Sequence, residues 1–202
     1  MRLRPAGEHA VLVELEDLEA AHGLAAAVRD ARLPGVVDVV PGYVTLLVVV
    51  DEPVHLSAVR NALPGLRPPA GGAPAGKTVE VPVVYDGEDL PEVCRLTGLS
   101  REQVVRRHAA PDYVVAFLGF IPGFPYLVGL DQALHVPRRP TPRTAVPAGS
   151  VGLAGSQTGV YPRTTPGGWQ LLGHTDVVLF DPHREPPALL APGDRLRFVD
   201  AS

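Results

Sequence analysis

Residues 146–162 read Val146-Pro147-Ala148-Gly149-Ser150-Val151-Gly152-Leu153-Ala154-Gly155-Ser156-Gln157-Thr158-Gly159-Val160-Tyr161-Pro162, a run with no helical period and many small residues. Apolar positions that fail to recur every three or four residues, punctuated by glycine and proline, predict short strands and tight turns. The small residues let backbones approach closely around Gln157, Thr158 and Tyr161, whose side chains could read a polar ligand. The same character extends over residues 117–181, so the fold of this half is expected to be mostly β.

Immediately upstream lies Phe117-Leu118-Gly119-Phe120-Ile121-Pro122-Gly123-Phe124-Pro125-Tyr126-Leu127, where prolines fix the backbone and aromatic rings supply rigid walls for a small-ring pocket. Between the two runs, Pro137-Arg138-Arg139-Pro140-Thr141-Pro142-Arg143-Thr144 holds three guanidinium groups on a segment too proline-rich for a regular helix. Arginines fixed in this way suit bidentate capture of a carboxylate or phosphate, although the pattern alone equally fits a solvated basic loop. Downstream, Pro166-Gly167-Gly168-Trp169 forms a turn that sets the only tryptophan at the start of an expected strand ending near His174. His174 is a candidate general base or a structural histidine.

Other catalytic signatures are missing. There is no H-E-x-x-H and no cysteine pair for zinc, since Cys94 is the single cysteine, and neither Ser150 nor Ser156 sits in a G-x-S-x-G elbow. Ser156, His174 and Asp176 could be imagined as a triad, but three such residues within so short a span arise readily by chance. Residues 89–108 read as two short helices, the first ended by Gly98 and the second started by a Ser100/Gln103 capping box. They resemble a helix-turn-helix only superficially, because the chain carries a net charge of −4 and lacks the field that holds a phosphate backbone. No nucleic-acid partner is expected. Cys94, inside the first helix, reads as a small buried hydrophobe.

Further out, Ala10 to Leu15 predicts a strand, Asp17 caps a helix stopped by Pro34-Gly35, and strands over 36–40 and 44–50 flank a Pro41-Gly42 turn. A helix from Pro53 to about Leu63 completes a β-α-β-β-α order, expected to form a small layered α+β domain over residues 1–70. The Pro- and Gly-rich composition that follows predicts a linker at 71–78, and an expected β-rich domain occupies 79–202. Gly71, Gly76, Lys77 and Thr78 match phosphate-loop spacing. The alternating Val79 to Tyr85 run behind them predicts a strand, not the helix such a loop requires. No apolar run is long enough to cross a bilayer, no basic segment leading into an apolar stretch opens the chain, and the lone cysteine allows no internal disulfide. A cytoplasmic protein without a membrane partner is expected.

The Gly119 to Leu127 run, the Pro137 to Thr144 arginine segment, and the blocks 146–162 and 166–175 closely resemble the family of 5-oxoprolinase B subunits. That family includes KipI-type kinase inhibitors and the allophanate hydrolase subunit 1 domain. The resemblance implies a cyclophilin-like β-barrel for the C-terminal domain, and pairing with the homologous 5-oxoprolinase C subunit (KipA-like) in an enzyme completed by the third, or A, subunit. It further implies ATP-dependent opening of the 5-oxo-L-proline lactam to L-glutamate, with ATP as co-substrate accompanied by Mg2+ and no resident metal or organic cofactor. On that logic Arg138 and Arg143 would bind anionic groups, Gln157 and Thr158 would make polar contacts, and Tyr126, Tyr161 and Trp169 with Gly167 and Gly168 would shape the pocket. His174, followed by Asp176, departs from the family pattern, which puts the chemistry of that strand in doubt. The same family leaves two other functions open: binding and inhibition of a sensor histidine kinase, and action on a urea-derived amide.

Overall fold

The computed structural model describes residues 1–68 and 76–202, and the chain divides into two compact units, Met1–Ala75 and Gly76–Ser202. Most of the expected linker, including Gly71 of the phosphate-loop spacing, lies outside the described residues. At its far end the Lys77 amide donates to Asp194 Oδ1 at 3.1 Å and Thr78 opens a strand. A phosphate loop would open a helix at that point.

The first unit contains β1 (Arg2–Pro5), β2 (Ala10–Glu14), α1 (Leu18–Ala31), β3 (Val36–Pro41), β4 (Thr45–Val50) and α2 (Pro53–Ala62). Its sheet runs β1-β2-β4-β3, antiparallel throughout. Alternation puts Val11 and Val13 of β2 and Leu46, Val48 and Val50 of β4 into one core, with Leu24, Ala25 and Val28 of α1 and Val59 of α2. Asp17 caps α1 by accepting from the Ala20 amide at 2.8 Å. The helix stops at Ala31 because Arg32 turns into the left-handed region (φ 45°), just ahead of Pro34-Gly35. Strand β1 adds to the expected element order. Its four residues carry too little apolar alternation to be read locally, and cross-strand pairing with β2 supports them, including an Arg4–Glu14 ion pair.

The second unit contains β5 (Thr78–Val83), α3 (Leu90–Thr97), α4 (Arg101–Ala109), β6 (Asp112–Leu118), β7 (Pro125–Val128), β8 (Arg143–Val146), β9 (Ser150–Ala154), β10 (Gln157–Val160), β11 (Thr165–Gly167), β12 (Gln170–His174) and β13 (Arg195–Asp200). Seven strands form one sheet in the order β12-β9-β10-β7-β6-β13-β5, and β8 pairs with β11 alongside. Only the β13–β5 pairing in the large sheet is parallel. The two edges meet where the chain leaves β5: Val84 and His174 exchange backbone hydrogen bonds of 2.9 Å each way. That pair makes the sheet a nearly closed barrel and removes most of its free edge.

Val81, Val83, Val115, Leu127, Val151, Leu153, Val160, Leu172, Leu196 and Phe198 fill the barrel core. Helices α3 and α4 direct Leu90, Val93 and Val104 into the same core, so the resemblance to a helix-turn-helix ends at the spacing. The Ser100/Gln103 capping box forms, and Gly98 ends α3 in the left-handed conformation. Cys94 is half-buried against the core. Among the described residues, no helix is long and apolar enough to cross a membrane.

A candidate ligand cleft walled by aromatic rings

Strand β7 carries Tyr126, the turn before it carries Phe120 and Phe124, and β10 runs out into Tyr161. The β11–β12 turn brings Gly167, Gly168 and Trp169 to the same place. Together with Arg138, Pro142 and Pro166 they line a cleft of about 230 Å3, at the small end for a ligand pocket. Phe124 is the hub of the wall. Its ring meets Tyr126, Tyr161 and Trp169 edge to face at centroid distances of 5.2, 5.1 and 5.3 Å. Tyr126 also stacks on Phe117 at 4.6 Å. Such a cluster is rigid, because each ring locks its neighbour's rotamer. Gly123 is required in the turn: its φ is +79°, and a Cβ there would lie 2.6 Å from Cβ of Phe180.

Tyr161 is 2% exposed. Burial pushes its hydroxyl pKa up, while the Trp169 amide and the Arg138 and Arg143 charges pull the other way. Gly167 has to be glycine for the ring to sit there, since a Cβ would fall 2.6 Å from the Tyr161 oxygen. The arginine segment is pinned against this turn by the Arg139 amide, which donates to Gly168 O at 2.8 Å. Gln170 Nε2 adds a donation to Pro137 O at 3.2 Å.

The three arginines of that segment have different fates. Asp89, just before α3 and 3% exposed, takes Arg139 and Arg143 on Oδ1, with Arg143 at 2.8 Å. Its Oδ2 accepts the Leu171 amide at 2.8 Å. Burial alone would raise the Asp89 pKa. The Arg143 hydrogen bond, the Leu171 amide and the charges of Arg143 and Arg139 outweigh it, and the carboxyl is held below its ordinary value. Arg143 also reaches Glu88 at 3.1 Å, and its pKa is raised chiefly by the bond to Asp89. Arg138 is exposed at the cleft and makes no side-chain hydrogen bond or ion pair among the described residues. Of the two arginines expected to hold anions, the structure therefore leaves Arg138 available and commits Arg143 to an internal carboxylate.

Of the candidate residues read from sequence, Tyr126, Tyr161, Trp169, Gly167 and Gly168 line one cleft together with Arg138. Thr158, Gln157 and His174 do not line this cleft. Thr158 is fully buried in the barrel core, accepting from His108 Nε2 at 2.9 Å and donating to Gly152 O at 2.9 Å. Its inward direction follows from strand alternation, which the small residues around it concealed. Gln157 begins β10 at the β9–β10 turn, paired with Ala154. His174 ends β12, roughly 16 Å along the chain from Trp169 at ~3.3 Å per residue, with Nδ1 2.8 Å from Asp86 Oδ1. Strand register places His174 opposite Ser150, at the other end of β9 from the turn that holds Ser156. The imagined Ser156–His174–Asp176 arrangement is therefore not assembled. Phe120, Phe124, Pro142 and Pro166 join the expected residues in the lining. The two phenylalanines stood in a run already read as wall-forming, and the prolines were legible only as turn formers.

His108 is the one fully buried histidine among the described residues. Its Nδ1 accepts from the Tyr85 hydroxyl at 2.8 Å, and burial pushes its pKa down to about 3. It is thus a neutral ring with Nε2 carrying the proton. Among the described residues no cluster of His, Cys, Asp and Glu could hold a metal ion.

The family model described as carboxyltransferase domain, subdomain C and D, matches residues 1–190. The 5-oxoprolinase B subunit of Escherichia coli O157:H7 is 47% identical over 205 residues, covering 96% of this chain and 93% of that protein. The protein of the same name from Bacillus subtilis is 40% identical over 201 residues, covering 90% of this chain and 82% of its own length. Among solved structures, the crystal structure of TTHA0988 superposes with a TM-score of 0.85 at 44% identity. The match spans all of this chain but only 40% of that larger one. With the family model matching most of its length, and with such relatives end to end, this chain belongs to the carboxyltransferase subdomain C and D family, in the branch that holds the 5-oxoprolinase B subunits.

Proposed function

We propose that this chain is the B subunit of an ATP-dependent 5-oxoprolinase and that its aromatic cleft receives 5-oxo-L-proline. The observation that carries the cleft assignment is Arg138: a guanidinium without a protein partner among the described residues, at the rim of a pocket walled by rings. The substrate has the matching halves, a small flat lactam and a carboxylate. The ring would pack against Tyr126 and Trp169 and the carboxylate would take the Arg138 fork. The names of the relatives support the reaction class.

A lactam carbonyl is a poor electrophile. Transfer of the γ-phosphoryl group of ATP to its oxygen turns that oxygen into a leaving group. ADP departs in that transfer; addition of one water and cleavage of the ring C–N bond then give an acyl phosphate, which a second water hydrolyses to L-glutamate and phosphate. ATP with Mg2+ is the co-substrate in this reading, the C and A subunits complete the assembly, and the isolated chain is inactive. The cytoplasm, where ATP is supplied, is the compartment that fits.

In the full assembly, Arg138→Ala is expected to raise KM for 5-oxoproline by roughly tenfold to a hundredfold, the loss of about 1.5–3 kcal/mol from a charge-assisted hydrogen bond. Its Tm should stay close to the parent's, because the residue is exposed and unpaired. An unchanged KM would remove Arg138, and the cleft with it, from substrate binding.

A further inference from the structure

Phe120 combines two features that cost stability with a single ring contact in return. Its φ is +66°, in the left-handed region that a bulky side chain rarely enters. The Ile121 amide donates to Gly119 O across it at 2.7 Å. A two-residue hydrogen bond spanning a positive-φ centre is the rare, strained form of γ-turn. A second bond, from the Gly119 amide to Phe124 O at 3.2 Å, holds the loop closed on itself. The ring this turn presents is 60% exposed, although it belongs to the cleft lining with Arg138 and Tyr126. Its only ring contact among the described residues is an edge-to-face meeting with Phe124 at 5.7 Å. A glycine would meet the backbone requirement without strain, and a polar side chain would avoid exposing apolar surface. Strain of this sort concentrates where a side chain has to be aimed at a ligand.

We propose that Phe120 is a specificity-determining residue of this cleft, its ring completing the apolar wall over the face or edge of a bound lactam while Arg138 holds the carboxylate. The inference rests on the cleft being the 5-oxoproline site. The ring contributes binding that is the same in the ground and transition states, so its removal acts on KM and spares kcat.

The test compares the parent, Phe120→Gly, Phe120→Leu and Arg138→Ala, reading steady-state glutamate release in the complete assembly and Tm of each chain. Phe120→Gly is expected to match or exceed the parent in Tm, because it relieves the backbone. It should raise KM for 5-oxoproline about fivefold or more with kcat within about twofold, and Phe120→Leu should fall between. If Arg138→Ala raises KM while both Phe120 variants keep the parent's KM, the role given to Phe120 is wrong and the cleft assignment stands. If Arg138→Ala leaves KM unchanged, the cleft assignment itself fails, and the role given to Phe120 with it. A lowered Tm in Phe120→Gly with unchanged KM would make the ring a structural element and overturn the proposal.

Discussion

Asp89 decides what the arginine segment can do. A carboxylate 3% exposed, bonded to two guanidinium groups and a backbone amide, anchors the loop that carries Arg138. Removing its charge leaves Arg143, itself largely covered, with only the exposed Glu88 as a counter-ion. Asp89→Asn is therefore expected to cost about 3–5 kcal/mol, as for other broken buried ion pairs, read as a lower urea midpoint with an unchanged m-value. The depressed Asp89 pKa gives the sign of its pH dependence. Its contribution is complete above the ordinary carboxylate range, near pH 4, and is lost as pH falls through the lower folded value. A variant as stable as the parent at pH 7 would show that the anchor is dispensable. The sequence showed three equivalent arginines because Asp89 lies some fifty positions upstream, and nothing local marks it as their partner. The aromatic walls were more legible, since Tyr126, Tyr161 and Trp169 stand in runs whose prolines and glycines exclude helix.

At the scale of elements, the helix caps were readable because they are local: Asp17 and the Ser100/Gln103 box act within one turn of chain. Strand β1 and the inward turn of Thr158 were not, because each depends on a partner strand or core supplied from elsewhere. Helix α4 shows the consequence. Its last turn puts His108 against Phe198 of β13, stacked at 4.5 Å, and ties it to Tyr85 and to Thr158 of β10. The folded ring resists protonation down to a pKa of about 3, whereas in the unfolded chain it titrates near 6.5. Between those values the unfolded state binds a proton that the folded state refuses. The stability this histidine contributes is whole above about pH 6.5 and falls on acidification by about 1.4 kcal/mol per pH unit. His108→Gln is expected to be less stable at pH 7 and to lose this slope between about pH 6 and 4.5, before Asp89 protonates. Parallel stability profiles for parent and variant over that interval would contradict the assignment.

For the molecule as a whole, the barrel rests on pairings remote in sequence. Strand β5 lies parallel to β13 across 117 positions, as in Arg195 beside Thr78, and the seam joins Val84 to His174. Alternation and turn residues announced a β-rich unit, but strand order and closure belong to loop closures that no local pattern encodes. His174 illustrates the gap. In sequence it follows the tryptophan block and looks like part of a site, yet its strand carries it to the seam, where its backbone closes the sheet and its ring pairs with Asp86. The cleft carries one charged side chain, Arg138, among aromatic rings, prolines and glycines. The decisive measurement is ATP-dependent release of glutamate from 5-oxoproline by this chain mixed with candidate C and A subunits, each omitted in turn. The account predicts release only when all are present, with loss of turnover when this chain is left out. Full turnover without this chain, or none from a complete and folded assembly, would contradict it.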